Sequence, residues 1–318
     1  MERFVVVGAA PVGTGTARAL VAQGGCVDIV SRSGDGPTQT GITLHAVDAN
    51  DRAALRAVAA GARAIINAAN PPYTKWETLW PPLAQSLLAT AAKTGATLVT
   101  MSNLYGHGPR HQTMRADTPL DATGRKGRTR ARMWNDALEA HNSGRVKVAE
   151  VRASDFFGPG VRDANTGERV ISRILSKKSA QLLGRDDVPH SFSYMPDVVR
   201  TLACVATNPD SWGRALVVPS ISVTQKEMVR ALCNAAGVPE VKVSTVPTFV
   251  LSVAGVLVPM MRELKEISYQ FDAPFVVDAT ETTTHLGVVA TPLPQAASDT
   301  IAWWRDPSRR QVAGSSAS

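Results

Sequence analysis

The chain has 318 residues, 44% of them hydrophobic and 19% charged, which suits one large or two closely joined globular domains and excludes a disordered or fibrous chain. There are 34 Lys and Arg against 27 Asp and Glu, a net charge of +7, so an anionic partner is expected: nucleic acid, a membrane surface or a phosphorylated ligand. Cys26, Cys204 and Cys233 stand far apart with no metal-ligand spacing, which excludes a full disulfide framework and points to a reducing, cytoplasmic compartment. No signal peptide is expected. The longest apolar stretch, residues 249–261, is too short to span a bilayer and reads as a buried helix.

In chain order, an apolar run at 4–7 predicts the first strand, ending at Gly8, and a helix follows from about 12 to 23. Strands are predicted at 27–30, 42–47, 64–66, 97–101 and 146–151, with helices at 51–60, 83–93 and 125–141. Apolar strands alternating with amphipathic helices imply a doubly wound parallel sheet, an α/β Rossmann-type fold. After Arg152 the rhythm breaks. Helices are predicted at 169–176, 196–206, 225–236, 248–261 and 294–304, with one more core strand at 215–218. The expected organisation is a nucleotide-binding domain over 1–155, to which 190–220 returns. A smaller C-terminal substrate lobe takes 156–189 and 221–310, and 311–318 is a disordered tail.

The first strand ends in Gly8-Ala9-Ala10-Pro11-Val12-Gly13 and then a helix. This is a GxGxxG turn with Ala10 in the second position, in the strand-turn-helix setting that dinucleotide binding requires. The second strand ends in Ser31-Arg32-Ser33, with no acidic residue to hold a ribose 2′-hydroxyl; Asp28 comes too early. Arg32 could pair with a 2′-phosphate and Ser31 could donate to it, so NADP is expected over NAD.

Further segments carry a resemblance. Asp48-Ala49 follows the third strand, Asn67-Ala68-Ala69-Asn70 the fourth, and Asn103-Leu104-Tyr105-Gly106 the fifth. Arg152-Ala153-Ser154-Asp155-Phe156-Phe157-Gly158-Pro159-Gly160, His190 to Val198, and Asp278 with Leu286-Gly287 and Thr291-Pro292-Leu293 complete the series. In order and spacing these resemble the extended or atypical branch of the short-chain dehydrogenase/reductase superfamily, the NAD-dependent epimerase/dehydratase family. The resemblance implies a Rossmann domain with a small substrate domain, and hydride chemistry on a small molecule. It implies that Asp48 and Ala49 meet the adenine. It implies that Ala68, Ala69 and Asn70, and later Ala153, Ser154 and Phe156, line the cofactor. Homodimerisation through the helix at 125–141 and the helix before the fifth strand is also implied.

That family works with Tyr and Lys in YxxxK plus a hydroxyl at the end of the fifth strand. No tyrosine here begins a YxxxK. By register Arg128 takes the Tyr position and Arg132 the Lys position. A guanidinium cannot donate a proton near neutrality, although it can grip a carboxylate or phosphate. Ser102 is the candidate hydroxyl, with Met101 at the ungapped position. Tyr73 is a candidate substitute acid, its pKa depressed by Lys75. His107 and His111 are four apart but sit among Gly106, Gly108 and Pro109, so loop histidines are expected and no metal site. No GxSxG anchors a hydrolase.

The expected function is an NADP-dependent oxidoreductase or epimerase-like protein acting on a small-molecule carbonyl or alcohol. The alternatives are a catalytically silent NADP-binding sensor or scaffold and a nucleotide-sugar epimerase or dehydratase. Nucleic acid is not expected as a partner, because base-stacking aromatics are scarce. Much of the positive charge falls in one stretch: Arg110, Arg115, Arg125, Lys126, Arg128, Arg130 and Arg132. That stretch suggests an anionic substrate beside the dinucleotide, or else a solvated basic helix face.

Overall fold

Strand β1 (Arg3–Val7) sets the frame because its residues alternate between two cores. Phe4 and Val6 pack with Ala17, Leu20, Val198 and Leu202, whereas Val5 and Val7 pack with Leu55, Trp80 and Trp134. A strand buried on both faces belongs in the middle of a covered parallel sheet. The structure is a computed structural model that describes residues 1–110, 112–246 and 258–308. His111, most of the helix expected at 248–261 and the tail from 311 lie outside the described residues.

The main sheet has seven strands. Besides β1 they are β2 (Cys26–Ser31), β3 (Ile42–Ala46), β4 (Ala64–Asn67), β5 (Thr97–Asn103), β6 (Val148–Ala153) and β10 (Ala215–Val217). Their order is β10-β6-β5-β4-β1-β2-β3, and every pairing is parallel. The order reverses between β1 and β4, so a crevice opens at the C-terminal ends of these two strands. Helices α1 (Pro11–Ala22) and α6 (Met195–Thr207) cover one face. Helices α2 (Arg52–Ala59), α3 (Trp76–Thr94) and α4 (Arg125–Asn142) cover the other.

Local chemistry explains several boundaries. Pro11 opens α1 at its first turn, where a missing N–H does no harm. Asp51 caps α2 by accepting from Ala53 N and Ala54 N, both at 3.0 Å. Helix α3 starts seven residues before the expected Leu83 and contains Pro81 and Pro82. Trp76 and Trp80, both buried, hold that first stretch in place, so packing overrides the proline penalty.

A third apolar cluster gathers Phe157, Ile171, Leu182, Phe192, Leu232 and Trp304. It lies among α5 (Glu168–Leu175), α7 (Gln225–Ala236), β8 (Ala180–Leu183) and β9 (Pro189–Tyr194). Helix α7 begins with a reciprocal Thr224–Glu227 capping box. Strand β9 pairs with β7 (Asp155–Phe157), which continues from the end of β6 and so joins this cluster to the main sheet. Helices α8 (Pro259–Ile267) and α9 (Tyr269–Asp272) return toward the start of α4. No helix among the described residues is long and apolar enough to cross a membrane.

Candidate active site

The glycine turn sits at the crevice. Gly8 has φ +112°, and a Cβ there would lie 2.7 Å from Ala68 O, so the turns after β1 and β4 meet at backbone distance. A Cβ on Gly13 would lie 1.9 Å from Gly8 O, which fixes glycine as the residue that lets α1 close on the strand. Ala10 and Pro11 are exposed and Val12 is half-buried. The first turn of α1 has no acidic residue, which leaves its N–H dipoles open to an anion. Gly160 closes over this turn, and a Cβ there would lie 3.4 Å from Pro11 Cβ.

Around the crevice, Arg32 is exposed just past β2 and has no ion-pair partner among the described residues. Ser31 Oγ is occupied by its own loop, accepting from Gly34 N at 3.1 Å. Asp28 is paired with Arg3 at 2.7 Å and His45 at 2.6 Å, a structural role. Asp48 is exposed and accepts from Asn50 N at 2.9 Å, while Ala49 is buried and its carbonyl accepts from Ser86. Ala68 is buried, Ala69 half-buried and Asn70 exposed. Ala153, Ser154 and Phe156 bracket the end of β6, and Ser154 Oγ is buried with no hydrogen-bond partner among the described residues.

The register expected on α4 is corrected. Arg128 and Arg132 are both exposed; they point away from the sheet. The inward pair, also one turn apart, is Lys126 and Arg130, both buried. Gly127, Ala131 and Trp134 are buried with them, so the apolar stripe of the helix sets the face. Arg128 and Arg132 instead line a groove of about 980 Å³ between α3 and α4, together with Glu77, Arg125 and Asp136.

Lys126 is tied to the returning segment. Its Nζ donates to Glu263 and lies 3.4 Å from Glu266 Oε2, and its backbone N donates to Glu266 Oε1 at 2.7 Å. Glu266 thus satisfies a backbone N–H in the first turn of α4, and the two carboxylates together neutralise its first inward cation. Arg130 is different. Its guanidinium lies over Trp80 at 4.1 Å and Trp76 at 4.6 Å. Nε and Nη1 are buried with no hydrogen-bond partner among the described residues. Burial pushes its pKa down to about 10, against the opposing pull of Glu150, Tyr105 and Tyr73.

Three tyrosines gather above this pair. Tyr73 OH lies 3.3 Å from Tyr105 OH, and Lys126 Nζ sits 4.7 Å from the Tyr73 ring centroid. The expected activation of Tyr73 by Lys75 is overturned. Lys75 is exposed, and burial together with Tyr105 pushes the Tyr73 hydroxyl well above its ordinary value. Burial and the Asp155 carboxylate likewise push Tyr105 up to about 12, and burial raises Tyr269. Tyr194 is structural, bonding Asp299 at 3.0 Å. Ser102 is buried near the end of β5, on the Leu98 face of the sheet, which packs against α4; Met101 turns to the opposite core. Asp155, just past β6, bonds His190 at 2.7 Å.

The basic stretch is largely neutralised from within. Arg110 pairs with Asp121, Arg115 with Asp278, and Arg125 with Glu77 and Glu263. Arg128, Arg130 and Arg132 have no ion-pair partner among the described residues. His107 is buried and donates from Nδ1 to Pro119 O at 3.2 Å; no metal-ligating cluster occurs among the described residues.

Residues 4–218 match the model of the NAD dependent epimerase/dehydratase family. The chain belongs to this family. Solved structures of similar fold include a dTDP-glucose 4,6-dehydratase from Streptomyces venezuelae with NAD and TYD bound. It is 17% identical with a TM-score of 0.75, over 96% of this chain and 98% of that one. A UDP-glucuronic acid 4-epimerase from Bacillus cereus in complex with NAD is 14% identical, TM-score 0.77, over 98% and 99%. A UDP-glucose 4-epimerase from Thermotoga maritima with UDP-glucose is 14% identical, TM-score 0.77, over 96% and 99%. No curated protein matches the sequence. The epimerase/dehydratase fold accounts for the sheet order and the glycine turn. No tyrosine of this chain begins a YxxxK, and Lys126 and Arg130 are the cations on the inward face of α4.

The residues present fit a dinucleotide. A Cβ would fill the cradle at Gly8, and the buried donors of Arg130 and the hydroxyl of Ser154 lack partners among the described residues.

Proposed function

We propose that this epimerase/dehydratase-family protein is an NADP-dependent oxidoreductase acting on a carbonyl or alcohol of a small molecule, with a nucleotide sugar as the leading substrate class. The observation that carries it is Arg130, a buried guanidinium with two unpartnered donors, one turn along α4 from the first inward cation. An unmade bond on a buried charged group costs on the order of 1–3 kcal/mol, so a group that completes those bonds gains affinity there.

When bound, the nicotinamide dinucleotide supplies hydride transfer. The backbone of Gly8, Ala10, Pro11, Val12 and Gly13 would receive the pyrophosphate and Arg32 the 2′-phosphate, with Ser31 joining it only on release of its loop contacts. Asp48 and Ala49 would border the adenine; Ala68, Ala69, Asn70, Ala153, Ser154 and Phe156 would line the rest. Arg130 would hold the nicotinamide ribose in place of the family lysine. Ser102 would hydrogen-bond the reacting oxygen, and Tyr73 and Tyr105 would wall the site. The sheet domain over 1–155 with 190–220, and the lobe built from 156–189 and 221–310, would close on the substrate between them. The α3–α4 groove supports a homodimer, since the exposed Asp136 there can answer Arg128 or Arg132 of a second copy. Three free cysteines suit a cytoplasmic setting.

Calorimetric titration with NADPH and NADH tests the reading: one site per chain with NADPH preferred is expected, and no binding of either overturns it. The missing YxxxK tyrosine favours a second reading, a silent dinucleotide-binding protein. Tight NADPH binding without oxidation across a panel of carbonyls and nucleotide sugars would select it.

A further inference from the structure

With Lys126 held between carboxylates and burial making the tyrosines weaker acids, the oxidoreductase reading calls for a further proton donor. Asp155 and His190 supply one by hydrogen-bond bookkeeping. His190 Nδ1 lies 3.1 Å from Gln270 O. A carbonyl only accepts, so Nδ1 carries a proton. On the other side of the ring, Nε2 lies 2.7 Å from Asp155 Oδ2. Without a further proton, two acceptors would face each other at that distance. One proton is therefore shared between Asp155 and His190, whichever atom carries it.

The pair is held rigidly. The His190 ring stacks on Phe271 at 5.3 Å and Phe275 at 5.4 Å, and its side chain is 2% exposed against 21% for Asp155. Asp155 is thus the more accessible member of the pair and His190 the buried one. The charge of the Asp155 carboxylate contributes to raising the pKa of Tyr73, Tyr105 and Tyr269, which places it within electrostatic reach of all three. The chain leaving Asp155 runs through Phe157 and Gly158 to Gly160, which packs on Pro11 of the glycine turn. The carboxylate therefore stands on the strap that crosses the proposed dinucleotide site.

We propose that Asp155 is the catalytic proton donor of this protein, with His190 as the positioning residue that keeps its proton. The assignment rests on the oxidoreductase reading. The reduced nicotinamide dinucleotide is the reductant: hydride forms the new C–H bond, and the carbonyl π pair moves to oxygen. The stored proton moves from Asp155 to that oxygen, forming O–H. The dyad is left as carboxylate and neutral imidazole and regains a proton from solvent.

Proton NMR of the ligand-free protein and steady-state kinetics test it together. The wild type is expected to show a low-field exchangeable proton resonance that disappears in Asp155→Asn. The amide can still donate to Nε2, so the fold is expected to survive. Turnover in Asp155→Asn is expected to fall 10²-fold or more, the scale of a lost general acid, with NADPH affinity within about twofold of wild type. His190→Asn is expected to move the alkaline limb of the pH–rate profile to lower pH. No shared-proton resonance in the wild type, or an unchanged rate and profile in Asp155→Asn, would overturn the assignment. Failure to bind NADPH would defeat the oxidoreductase reading instead, and the proton resonance would still report on the dyad.

Discussion

At the end of β1, Gly8 and Gly13 are fixed by backbone contacts, one 2.7 Å from Ala68 O and the other 1.9 Å from Gly8 O once a Cβ is placed. At the start of α4 the close backbone approach falls at Gly127, where a Cβ would lie 2.5 Å from Tyr105 O, and not at the positions of Lys126 and Arg130. Lys126 and Arg130 occupy the inward face of the helix. The two ends of one cleft thus change by different rules. A nucleotide cradle made of main chain tolerates only residues that fit. A catalytic face made of side chains can be rebuilt, provided each buried charge finds a partner. Lys126 found Glu263 and Glu266; Arg130 found only indole faces.

The sharpest break between the two ends would come from Gly13→Val. Overlap with Gly8 O is expected to cost at least about 3 kcal/mol of stability, read as a lowered urea midpoint. If the midpoint does not move, the cradle is not rigid. Arg130→Met probes the other end and separates stability from function. Removing a buried guanidinium with two unpartnered donors is expected to leave the ligand-free protein as stable or more stable, while NADPH affinity falls about 10- to 100-fold. Loss of both stability and affinity would make Arg130 a structural residue.

A third test uses pH. Burial, with the Arg152 charge adding to it, lowers the His107 pKa from 6.5 to about 4. The unfolded chain binds this proton more readily, so stability is fully present above about pH 6.5 and declines as pH falls toward 4. His107→Gln is expected to flatten that part of the melting-temperature profile by an amount on the order of 2–3 kcal/mol. Arg32→Ala should erase roughly tenfold of the preference for NADPH over NADH while leaving NADH binding alone. The smallest effect is expected from Arg128→Ala and Arg132→Ala, each within about 0.5 kcal/mol in stability and neutral in turnover. A large loss of turnover in either would restore the register first expected from sequence.

The main sheet was legible because its strands are short, apolar and flanked by glycine or by helices with a clear stripe. The second half was less so. Strands such as β7 and β8 have three or four residues, and β9 is polar at His190, Ser191 and Ser193. The α4 register was misread because Lys126/Arg130 and Arg128/Arg132 share a spacing and a charge. The available signal was the small and apolar series Gly127, Ala131 and Trp134, which puts Arg130 on the inward face. The Asp155–His190 contact joins residues 35 apart; each stood in a recognisable motif, but nothing local pairs them. The tyrosine cluster has the same origin. Tyr73, Tyr105 and Tyr269 come from separate segments, and only the fold brings them to one carboxylate.

The most direct measurement is a calorimetric titration of NADPH into the wild type and into Arg130→Met. The account predicts one site per chain, weakened about 10- to 100-fold in the variant. Equal affinity in the two proteins, or no binding to the wild type, would contradict it.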